Sequence, residues 1–243
     1  MVASDDLTMT ARVALISWTA RLGAITAVAL ARREQVGLPS ARARLAAAHR
    51  AGLLERHRPL AGAPALYSAS RAGLRVAGLT NLEPARVSPA TAGHTIACAG
   101  VAAALERAFP DHRLVGEREL LSFEREQGAP CQSAVRLRTR AGVERTHRPD
   151  LVLCPPAGSA LPLAVEIELS VKAPARLAEI CLAWARSREF AGVLYVVSLE
   201  ASQPVQRAVA RTRAGRRISL IAIDAIRTQG LADPPERTVP GDA

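Results

Sequence analysis

The sequence predicts an α/β (α+β) chain of two domains, and three observations carry the prediction. Helix-capping signals crowd the first third, which closes on two short β-prone runs. Beyond it, apolar runs of strand length alternate with amphipathic runs of helix length, the pattern of a mixed sheet flanked by helices. Between them lies a Pro- and Ala-rich stretch, "NLEPARVSPATAGH", that reads as a linker. The expected limits are a first domain at 8–80, a linker at 81–91, a second domain at 92–228 and a disordered tail at 229–243.

The elements of the first domain follow from their caps. "MTARVALISWTARLG" places Val13, Ile16 and Leu22 near one face, and Gly23 stops the helix. Thr26 can cap "AVALARREQ", and after the break "VGLP", Ser40 can cap "ARARLAAAHRAG", which ends at Gly52. Two short helices across a Gly-containing turn have the dimensions of a helix-turn-helix. "LLERHR" and "PALYSAS" then form a hairpin across "PLAGA", which makes the unit a winged helix.

Charge points to the partner. The chain carries a net +10, with 31 Arg and a single Lys. Residues 1–80 hold eleven Arg against Asp5, Asp6, Glu34 and Glu55, a net of +7, leaving +3 for the remaining 163 residues. A basic N-terminal third suggests a polyanion, here double-stranded DNA. In this reading Arg42, Arg44 and Arg50 project from the second helix of the pair, and Arg56, His57 and Arg58 lie along the wing, placed for phosphate and groove contacts. Solvated arginines on a helical bundle are the bland alternative.

In the second domain the expected order is α-β-β-β-α-β-α-β. A helix "AGHTIACAGVAAALERAF" ends at Pro110, followed by strand "HRLVGERELLSF", a polar loop and strand "THRPDLVLC". After the turn "PPAGSA" come strand "LPLAVEIEL", helix "PARLAEICLAWARSREF", strand "GVLYVVSL", helix "PVQRAVARTRAG" and strand "RISLIAI". Cys98, Cys131, Cys154 and Cys181 are widely spaced without a C-x-x-C pair and read as buried small residues of a reducing cytosol. No apolar run of membrane-spanning length occurs, so the expectation is a soluble, cytoplasmic protein with no membrane partner.

The chemistry concentrates in "AVEIELSVK". Val165, Ile167 and Leu169 point to one face of the strand, so Glu166 and Glu168 share the other. A hairpin centred on "PPAGSA" pairs positions summing to 315 or 316, which sets Asp150 opposite Val165 or Glu166. The second register gathers three carboxylates in one patch. Like charges opposed across a ladder repel, so the patch needs a cation, an arginine or a raised pKa. A hard divalent ion such as Mg²⁺ is one answer, and a solvated edge strand is the other. Lys172, the only lysine, lies four residues beyond Glu168 and can fold back toward the carboxylates or a scissile phosphate.

"RPD" at Arg148, Pro149 and Asp150, then about fifteen residues and "EIE" at the end of an apolar strand, resembles the signature of the PD-(D/E)xK nuclease superfamily. The resemblance implies that Asp150 and Glu166 bind Mg²⁺ or Mn²⁺, that Glu168 completes the shell or orients water, and that Lys172 stabilises phosphate charge. Glu168 stands where the family's lysine is expected. Glu117 and Glu119, alternating on the first expected strand, supply a further candidate acid in Glu117. His147 reads as shaping the strand entry rather than binding metal, and Arg176, Arg186 and Arg188 can hold phosphate nearby.

The whole chain, from about residue 10 to 225, is similar to the replication-relaxation family of plasmids and mobile elements, on "TARLGAIT", "AGLLERHRPLAG", "GERELL", "HRPDLVL" and "VEIELSVKAPARL". That resemblance implies a DNA-binding protein of replication or relaxation that can also be a metal-dependent endonuclease. The alternative is a non-catalytic DNA-binding regulator on a degenerate nuclease-like scaffold. A homodimer and replication or mobilisation proteins stay open as partners. An unrelated metabolic enzyme fits poorly, since the chain has no Gly-rich phosphate loop, G-x-S-x-G or zinc spacing.

Overall fold

The computed structural model describes residues 8–128, 134–138 and 144–229. The N-terminal unit opens with α1 (Met9–Leu22), capped by Thr8 and stopped at Gly23, whose φ of 87° suits glycine. Strand β1 (Ala24–Ile25) leads to α2 (Ala27–Glu34), where the Thr26 hydroxyl accepts from the Ala29 N–H at 3.1 Å. Helix α3 (Leu38–Arg50) starts earlier than its sequence suggests. Pro39 fits the first turn, where its missing N–H costs nothing, and Ser40 therefore lies inside the helix rather than capping it. Strands β2 (Leu54–His57) and β3 (Leu66–Ala69) form the hairpin, and β1 pairs with β3, giving a three-stranded sheet in the order β1-β3-β2. A short α4 (Arg71–Val76) follows.

Helix α5 (Pro89–Ala108) begins within the stretch read as a linker, because Ser88 and Thr91 close a reciprocal capping box. Next come β4 (Arg113–Gly116) and α6 (Glu117–Gln127) where one long strand was expected. Helix wins there because Glu119 reaches back to accept from the Gly116 N–H at 3.3 Å and both glutamates sit at the positive end of the helix dipole. The expected strand "THRPDLVLC" also divides. Strand β5 (Val135–Arg138), inside the expected polar loop, pairs with β6 (Glu144–His147) in a sheet of its own, and β7 (Leu151–Cys154) joins the main sheet. Pro149, with no N–H to give a ladder, lies at the break.

The rest is β8 (Leu163–Glu168), α7 (Pro174–Arg186), β9 (Gly192–Val197), α8 (Leu199–Thr212), β10 (Ile218–Ala222) and α9 (Ile223–Gln229). Helix α8 starts five residues before the expected Pro204, since Ser198 caps it by accepting from the Ala201 N–H at 3.2 Å. The five-stranded sheet runs β10-β9-β8-β7-β4, antiparallel from β4 to β8 and parallel from β8 to β10. Leu151 pairs with Val165 and Leu153 with Leu163, so partners sum to 316, and Asp150 precedes β7 at the position that continues toward Glu166. Residues 230–243 of the expected tail, and Cys131, lie outside the described residues.

Each face of the main sheet has its own core. Val165 and Ile167 face α5 in a cluster that continues through Leu105 into Leu30, Ile16 and Leu15 of the N-terminal unit. Ala164, Tyr195 and Val193 face α7 and α8, around Trp184 and Val205. The first cluster makes the connection between the units a packed one. Glu106 of α5 reinforces it by accepting from Trp18 Nε1 at 3.1 Å and from Arg33, whose guanidinium lies 4.8 Å from the Trp18 ring centroid. Gly116 admits the end of α1 so closely that a Cβ there would meet the Arg21 carbonyl at 2.9 Å. Among the described residues no helix is long and apolar enough to cross a membrane.

Candidate functional site

Two regions carry unusual chemistry. The first is a groove of about 870 Å³ between α2, α3 and the β2–β3 hairpin, lined by Arg42, Arg56 and Arg58. All three arginines are exposed, and Arg42 comes from α3 while Arg56 and Arg58 come from the hairpin. Arg50 is exposed at the last residue of α3, outside the groove lining. Arg44 is spent differently, on an ion pair with Glu34 at 2.5 Å. His57 turns toward the sheet, its Nε2 lying 2.8 Å from the Ser68 hydroxyl. The groove is also apolar at its rim, where Val28 and Leu60 are exposed.

The second region is the carboxylate strand. β8 lies between β7 and β9, so its glutamates are not on a solvated edge: Glu166 is 5% exposed and Glu168 4%. Two such groups survive burial only with partners. The Glu166 Oε1 accepts from Trp184 Nε1 at 3.0 Å and lies 2.8 Å from His147 Nε2. His147 arrives on β6, part of the small sheet laid against α7, and its ring meets the Trp184 ring edge-on with centroids 6.0 Å apart. Burial raises the Glu166 pKa, and the His147 hydrogen bond opposes that rise. Glu168 is held by Lys172, whose Nζ folds back to 2.5 Å from Oε2.

Asp150 looks toward the opposite side of the sheet. Its Oδ2 accepts from the Ile167 N–H at 2.7 Å, and its Oδ1 lies 3.0 Å from His94 Nε2 on α5. That hydrogen bond raises the His94 pKa. The Asp150 carbonyl accepts from the Glu117 N–H at 3.1 Å, which ties it to the first turn of α6. His94, Cys98, Asp150 and Glu117 line one cavity of about 250 Å³, shared with Arg21 and Arg118. Desolvation there, and then Asp150, raises the Glu117 pKa; burial pushes the Cys98 thiol well up.

No family model, curated protein or solved structure matches the chain. Its function therefore rests on the arrangement itself. Of the residues singled out in sequence, the structure gathers Arg42, Arg56 and Arg58 at one groove and pairs Glu168 with Lys172. Asp150, Glu166 and Glu168 each have a separate set of partners. The one trio of His, Cys, Asp or Glu ligand atoms mutually within 4.8 Å among the described residues is His94, Cys98 and Asp150. Sequence reasoning missed His94 and Cys98, although their i, i+4 spacing in "HTIAC" places both on one helix face. Arg176 engages Glu179 on its own helix at 3.8 Å, and Arg186 and Arg188 border a surface dent beside Arg217.

Proposed function

We propose that this chain is a double-stranded-DNA-binding protein of the kind that serves plasmid or mobile-element replication or relaxation, with the N-terminal unit as a winged helix. The observation that carries the reading is the convergence of exposed Arg42, Arg56 and Arg58 on one groove beside α3 and the hairpin. Among the described residues none of the three makes an ion pair, so their charge is available to phosphates. The order helix, strand, helix, helix, strand, strand, with β1-β3-β2 pairing, also supports a winged helix, whose second helix of the pair enters the major groove. Labelled duplex DNA and fluorescence anisotropy in EDTA test the reading. Wild-type protein should bind, and an R42A/R56A/R58A variant should lose at least about tenfold in affinity, as removal of three phosphate partners requires. Equal binding by both proteins would overturn it.

A second reading, metal-dependent phosphodiester hydrolysis, is favoured by one observation: the β7–β8 register carries Asp150 toward Glu166, as the PD-(D/E)xK resemblance requires. The antiparallel β4-β7-β8 run followed by α7 and parallel β9 supports the same resemblance. A Mg²⁺ or Mn²⁺ site built from all three carboxylates does not fit this arrangement. Glu166 is engaged by His147 and Trp184 and Glu168 by Lys172, while Asp150 turns to α5. The scaffold alternative takes those internal pairs as its support. Supercoiled plasmid with Mg²⁺, Mn²⁺ or EDTA, and a D150A/E166A control, separates the two. The scaffold reading expects no conversion to open-circle or linear DNA.

A further inference from the structure

We propose that His94, Cys98 and Asp150 form a binding site for one borderline transition-metal ion of the Zn²⁺ type, open on its fourth side to the cavity between α5 and α6. Their ligand atoms lie mutually within 4.8 Å. His94 Nε2 and Asp150 Oδ1 are 3.0 Å apart. Two bonds of about 2.0 Å at a tetrahedral angle put such atoms about 3.3 Å apart, so the pair needs only a small spread to accept the ion. His94 and Cys98 lie one turn apart on α5, a helix anchored by the Ser88 cap at one end and the Glu106 contacts at the other.

The donor set chooses the ion. Imidazole and thiolate suit Zn²⁺ and its neighbours and suit Mg²⁺ poorly. A neutral imidazole, a thiolate and a carboxylate sum to −2, so a divalent ion makes the cluster neutral, which a half-buried cavity favours. Asp150 is already held from behind by the Ile167 N–H at 2.7 Å, the kind of supporting hydrogen bond that orients ligating carboxylates. The cavity leaves room for a water or an anionic group on the ion, with Arg21 and Arg118 in its wall. Binding displaces the thiol proton of Cys98 to solvent. The site assigns Asp150 to a different ion from the one that the nuclease resemblance implies, and it needs no DNA.

Cobalt(II) titration of the chelator-stripped full chain tests this. We expect one ion per chain, a near-ultraviolet thiolate-to-cobalt absorption with visible bands of low coordination, and bleaching of both by one equivalent of Zn²⁺. Cys98→Ser should lose the thiolate absorption, and His94→Ala should weaken Zn²⁺ binding at least about tenfold. A folded wild-type chain without the thiolate absorption overturns the proposal, as does an unchanged absorption in Cys98→Ser. Should a variant fail to fold, alkylation of wild-type Cys98 followed by peptide mass mapping decides: Zn²⁺ should protect it, and equal labelling with and without Zn²⁺ overturns the site. The titration contains no DNA, so its failure and that of the DNA-binding reading are separate results.

Discussion

The arginines of the β2–β3 hairpin and the acids of β8 handle charge in opposite ways. Arg56 and Arg58, with Arg42 of α3, stand in solvent around a groove. Glu166 and Glu168 are buried and individually partnered, by His147 and Trp184 in one case and Lys172 in the other. Exposed like charges cost the fold little, because water screens them, and they remain available to an outside partner. Buried charges cannot wait for a partner, so the fold supplies one. Two charge-bearing segments of the chain thus differ in what they do. The hairpin presents charge, and the interior strand consumes it.

The sharpest break of this contrast comes from the buried side. Trp184 is fully buried and its indole N–H bonds Glu166. Trp184→Ala should cost about 4 kcal/mol in chemical denaturation, from cavity formation and a deprived buried carboxylate. R42A/R56A/R58A, by contrast, should change folding stability by less than about 0.5 kcal/mol, since exposed positions seldom matter more.

Cys181 extends the comparison to pH. Burial on the inward face of α7 pushes its thiol from 9.0 up to about 11. A folded-state pKa above the unfolded value means stability is fully present below pH 9 and is lost as pH rises toward 11. The loss should be on the order of 2 kcal/mol, and Cys181→Ala should flatten that part of the profile.

The smallest effect on the buried side concerns Lys172, which is 41% exposed although its partner Glu168 is buried. After discounting for solvent screening, Lys172→Met should cost about 1 kcal/mol, and Lys172→Arg should recover most of it. A Lys172→Met protein as stable as wild type would mean that Glu168 finds its compensation elsewhere.

These regions were unequally legible in the sequence. The caps Thr26 and Gly23 follow from local rules, because a cap involves neighbours in the chain, and a hairpin centred on "PPAGSA" narrows the β7–β8 register to sums of 315 or 316, of which the structure takes 316. "GERELL" defeated the strand reading because its alternation also fits the first turn of a helix, and only the Glu119 capping bond decides between them. Strand "VRLR" and the first half of "ERTH" went unseen because short polar strands carry little apolar signal; their pairing is what makes them strands. Lys172 could be foreseen as a return partner four residues from Glu168, whereas His147 and Trp184, 19 and 18 residues from Glu166, could not. The same holds for His94, which meets Asp150 across 56 residues.

The most direct test of the division between presented and consumed charge is the salt dependence of duplex-DNA affinity. Wild type, R42A/R56A/R58A and D150N/E166Q would be measured together in EDTA from 50 to 200 mM salt. The slope of log affinity against log salt should fall by about 2 to 3 in the arginine variant, at about 0.9 for each phosphate no longer neutralised, and stay unchanged in the carboxylate variant. An arginine variant with the wild-type slope would place the DNA surface elsewhere and contradict the account.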